Sequence, residues 1–67
     1  MTEEQVKFYF NAIYRLIIDA PNGISFGELI EYANKRKLDD DLFMDMLDDL
    51  EMTIKVVKRD GETYSRL

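Results

Sequence analysis

Neither cysteine nor histidine occurs anywhere in the chain. That double absence constrains the fold more than any motif does. Disulfides and thiolate metal sites are excluded, and with histidine go the commonest zinc ligand and the commonest general base. A chain of 67 residues without staples must fold on one apolar core, near the lower size at which that works. The material for it is present: 46% of residues are hydrophobic, and eight of them are Phe or Tyr. The expectation is a single domain over residues 1–67, intracellular (cytoplasmic in a prokaryote, nuclear in a eukaryote). Its polar beginning is wrong for a signal peptide, and no apolar run approaches a membrane span.

Capping signals divide the chain. Thr2 followed by Gln5 forms a capping box, and Val6, Phe10, Ile13, Ile17 and Ala20 recur at helical spacing, predicting a helix over about 2–19. Ala20-Pro21-Asn22-Gly23 ends it. Ser25 with Glu28 marks a second start, with Ile24 and Leu29 as a hydrophobic staple, and Phe26, Leu29, Ile30 and Ala33 line one face of a helix over about 26–37. Asp39 caps a third helix over about 40–51, whose core face is Phe43, Met46, Leu47 and Leu50. After Glu51 the residues become β-branched, and Asp60-Gly61 signals a hairpin over about 53–67. An ideal two-residue turn there pairs Val57 with Tyr64 and Ile54 with Leu67, which lie on opposite faces, so a bulge intervenes or one pair is exposed. The expected core is Ile13, Ile17, Phe26, Leu29, Ile30, Phe43, Leu47 and Leu50. Helix, short extended approach, helix, turn, helix and hairpin is the order of a winged helix, an α+β fold that hosts many functions.

Charge then speaks to function. Nine Lys+Arg against fourteen Asp+Glu give a net charge of −5, which disfavours a general phosphate binder. The third helix, which in a winged helix normally enters the major groove, carries Asp39, Asp40, Asp41, Asp45, Asp48, Asp49 and Glu51 without one Lys or Arg. Asp45, Asp48 and Asp49 are the candidate docking residues for a basic protein partner; a solvated face that keeps a small domain soluble is the plainer account. Phe8, on the polar back of the first helix, and Met44, off the main face of the third, are further candidate contact residues. Lys55, Lys58, Arg59 and Arg66 make the hairpin basic and are the candidate DNA-backbone contacts, with Lys35-Arg36-Lys37 able to join them. The alternative is that they guard a sheet edge. No catalytic constellation, cofactor, metal site, small-molecule substrate or membrane contact is expected, and the isolated domain is expected to be a monomer.

The segments GISFGELIEYANKRKL, DDDLFMDMLDDL and the terminal DGETYSRL, within Gly23–Leu67, resemble the C-terminal winged-helix domain of the minichromosome maintenance replicative helicases. An acidic third helix followed by a short hairpin ending in an aromatic and an aliphatic residue is shared, and Leu67 as the last residue fits that pattern. The C-terminal domain of the middle subunit of replication protein A looks similar in the same way. The resemblance implies a regulatory, protein-contacting or weakly DNA-contacting module of replication machinery, without the helicase motor. Two other readings stay open: a free-standing winged-helix transcription regulator, and an acidic module competing with nucleic acid for a basic partner.

Overall fold

The computed structural model describes all 67 residues. Three helices and a three-stranded antiparallel sheet form a small α+β domain in the order α1 (Glu3–Ile18), β1 (Ile24–Ser25), α2 (Phe26–Lys35), α3 (Asp40–Asp48), β2 (Val57–Asp60) and β3 (Thr63–Arg66). Each helix begins where its cap dictates. Thr2 and Gln5 make both halves of the capping box, at 2.9 and 3.2 Å. Ser25 accepts from the Glu28 N–H, and Asp39 from the Leu42 N–H. The reciprocal Glu28 half of the second box is not made.

The helices end differently from one another. At α2 the Lys37 N–H reaches the Asn34 carbonyl and the Leu38 N–H reaches that of Ala33, the paired bonds of a Schellman closure. Lys37 therefore adopts φ 56°, where glycine is customary, and Leu38 is carried inward against Ala33. The third helix was expected to run to residue 51. It stops at Asp48 and widens into a π-helical turn, Asp49–Thr53, closed by the Ile54 N–H on the Asp49 carbonyl. The Val56 N–H then returns to Leu50, with Lys55 at φ 62°. The extra residue in this turn has a packing consequence. In a continuous α-helix Ile54 would follow Leu50 on the core stripe; here it swings out and is 49% exposed.

The hairpin corrects two expectations. Residues 53–56 are not strand, because the π turn and its closure consume them. The register also differs: Val57 pairs with Arg66 and Arg59 with Tyr64, so the central residues are Gly61-Glu62 rather than Asp60-Gly61. Gly61 at φ 64° supplies the positive φ that a type II′ turn needs at its first central position, sparing Asp60 from that region. The shift is two residues, so Val57 and Tyr64 keep the same face, and both are buried.

Strand β3 is central, with β1 on its other side through Ile24↔Tyr64 and Ser25↔Thr63. Gly23, at φ 86°, makes that approach possible: a Cβ there would lie 2.7 Å from Thr63 Cγ2 and 2.9 Å from the Tyr64 carbonyl. The Phe26 N–H donates to the Glu62 carbonyl at 2.6 Å, tying the hairpin turn to the start of α2. The core comprises Ile13, Ile17, Leu29, Ala33, Leu38, Phe43, Met46, Leu47, Leu50, Val57 and Tyr64. Phe26 and Ile30, expected in it, are only half-buried at its margin, and the two strand residues take their place. No helix is long and apolar enough to cross a membrane.

Candidate docking surfaces

The acidic surface is built by the packing of α3. Phe43, Met46 and Leu47 turn inward, which leaves Asp45, Asp48 and Asp49 exposed on the remaining arc. Asp40 and Asp41 lie in the first turn, where the helix dipole favours them. No three acidic side chains converge closely enough to hold a metal ion. Asp48 and Glu51 come within electrostatic reach of Tyr64. Burial raises the pKa of its hydroxyl above the usual tyrosine value; Arg59 opposes the rise, and Glu51 and Asp48 add to it.

The basic hairpin is not one patch. Strand alternation puts Arg59 and Arg66 on the face of Val57 and Tyr64, while Lys58 lies on the opposite face with Asp60. Arg59 is engaged locally: its Nε donates to the Gly61 carbonyl at 2.9 Å, and its guanidinium stands 5.7 Å from the Tyr64 ring centre. Lys55 and Arg66 instead flank α1, lining a cavity with Tyr14 and Ile18. Two of the three cations at the end of α2 are also occupied. Lys35 pairs with Glu31 at 3.2 Å, and Arg36 stacks 3.7 Å over Tyr32 while donating to its carbonyl. The Lys35 pair is open to water, so it adds little stability, but it offsets one of the three positive charges presented there.

Phe8 and Met44 are both open to solvent, at 65% and 36%, and they do not combine. They sit on different helices, and neither lines a cavity. Phe8 has the Tyr9 ring edge-on at 5.3 Å, which partly shelters it.

One concave surface was not singled out by the sequence pattern. Three hollows adjoin along α1. The first, of about 380 Å³, is lined by Val6, Lys7, Phe10 and Asn11. A second, of about 250 Å³, shares Phe10 and Asn11 and adds Tyr14, Leu50, Ile54 and Val56. The third, of about 370 Å³, shares Tyr14 and Val56 and continues to Ile18, Lys55, Arg66 and Leu67. Shared residues make them one groove between α1, the π turn and the end of the chain. A signal for it was present. On a helical wheel the apolar sector of α1 runs from Leu16 through Ile13, Ile17 and Phe10 to Tyr14 and Ile18, about 200° of arc, where one buried stripe needs about 100°.

No family model, curated protein or solved structure matches this chain.

Proposed function

We propose that this domain is a non-catalytic winged-helix module of DNA replication machinery that works by protein contact, with at most weak, sequence-independent DNA contact through the hairpin wing. The observation that carries the reading is the outward display of Asp45, Asp48 and Asp49 on the helix that a DNA-reading winged helix would lay in the major groove. Each close carboxylate–phosphate pair opposes binding by roughly 1 kcal/mol even in water-like dielectric. The scattering of Lys55, Lys58, Arg59 and Arg66 over two faces supports it too, since a backbone contact needs cations gathered on one side. The replication context comes from the resemblance of residues 23–67 alone.

Titration of labelled duplex DNA, followed by anisotropy over a range of salt, tests this. Binding should be no tighter than the micromolar-to-submillimolar range of non-specific contacts at physiological salt, and should fade as salt rises. Changing Asp45, Asp48 and Asp49 together to Asn should strengthen low-salt binding by about tenfold where one of them approaches a phosphate and by about 100-fold where all three do. A sub-micromolar, sequence-selective complex would overturn the reading in favour of a transcription regulator. An unchanged affinity in the triple variant would show that α3 does not face the DNA.

A further inference from the structure

We infer that the groove along α1 is a docking site for an acidic amphipathic segment of another protein. This rests on the reading of the domain as a protein-contact module, and it uses a different face from the α3 acids. The floor is apolar and half-buried: Phe10, Tyr14, Ile18 and Val56, with Leu50 beneath. Ile54 and Leu67, both exposed apolar side chains, form its far wall. The π turn is what places Ile54 there, so the groove comes from the specific path of the chain after α3.

Charge selects the occupant. Asp and Glu number fourteen against nine Lys and Arg in the chain, yet no Asp or Glu side chain lines any of the three hollows. Lys7, Lys55 and Arg66 do, and none of them makes an ion pair or a side-chain hydrogen bond. Free cations at both ends of an apolar floor suit a segment with apolar side chains on one face and Asp or Glu beside them. The domain's net charge of −5 does not cancel this preference, because screening at physiological ionic strength limits each charge to a reach of about 8 Å. The stretch of α1 from Lys7 to Ile18 spans about 16 Å, enough for three turns of a partner helix.

A displayed library of random peptides about 16 residues long, each able to span the groove as a helix, is selected against the whole domain. Enriched peptides should carry apolar residues at i, i+3 or i+4 and i+7, with an excess of Asp and Glu. Binding should weaken by about tenfold or more in the Lys7→Glu, Arg66→Glu double variant and separately in Ile54→Ser. All three positions are solvent-exposed, so circular dichroism should stay unchanged. The triple change of Asp45, Asp48 and Asp49 to Asn should leave these peptides bound, which separates this proposal from any failure of the α3 reading. The proposal is overturned by enrichment of basic peptides, by no enrichment at all, or by binding indifferent to Lys7, Arg66 and Ile54. It is equally overturned if sedimentation shows a dimer that Ile54→Ser dissolves, since the groove would then belong to a second copy.

Discussion

Helices α1 and α3 are both amphipathic, yet they meet the rest of the molecule in opposite ways. The apolar stripe of α3 is one face wide, with Phe43, Met46 and Leu47 buried and Leu42 half-buried; of the rest, only Met44 is not acid. The apolar sector of α1 is about twice as wide as one stripe. Only Ile13 and Ile17 are fully buried, and Phe10, Tyr14 and Ile18 stay at a half-covered margin. A helix whose polar remainder is uniform has had its packing completed inside the domain. A helix with a second apolar margin has packing left over.

The largest effect should come from the completed side. Phe43 has no exposed surface, and Phe43→Ala should cost about 3–5 kcal/mol in denaturant unfolding, enough to threaten a domain of this size. A loss under about 1 kcal/mol would mean that α3 is not closed against the core and that the contrast with α1 is false.

The next effect concerns how each helical segment is brought to its end. Lys37 and Lys55 both occupy the left-handed region that suits glycine. Lys37→Gly and Lys55→Gly should each stabilise by about 0.5–1 kcal/mol, read as a rise in melting temperature. Destabilisation at Lys55 alone would show that its aliphatic stem supports the groove against α1, sharpening the difference between the two ends.

The smallest effect belongs to the open side. Ile54→Ser should change stability by no more than about 0.5 kcal/mol. A loss above about 1.5 kcal/mol would place Ile54 in the core, and the margin of α1 would then be covered from within.

What the sequence made legible follows from how far each determinant reaches. Thr2 with Gln5, Ser25 with Glu28 and Asp39 with Leu42 act over three residues, so the helix starts could be read directly. The exposure of Asp45, Asp48 and Asp49 followed from the face occupied by Phe43, Met46 and Leu47. The hairpin register did not follow, because it depends on which side of the turn takes the positive φ and on Ser25 pairing with a distant Thr63. The groove was hidden for a related reason. On a helical wheel Tyr14 and Ile18 flank the apolar face, but only the path through the π turn brings Ile54, Val56 and Leu67 beside them.

The placement of β3 between β1 and β2 makes the sheet conditional on the helices. Joining β2 to β3 closes a two-residue turn, an inexpensive local event. Joining β1 to β3 brings Ile24 to Tyr64 around a loop of about 40 residues, whose closure costs about 3 kcal/mol in chain entropy. Two residue pairs cannot offset that by themselves, given a net gain of about 1 kcal/mol per hydrogen bond. The third strand therefore exists only once α2 and α3 have folded the intervening chain and shortened the loop. Its two pairs mark, at the level of the backbone, that the helical core beneath them is complete.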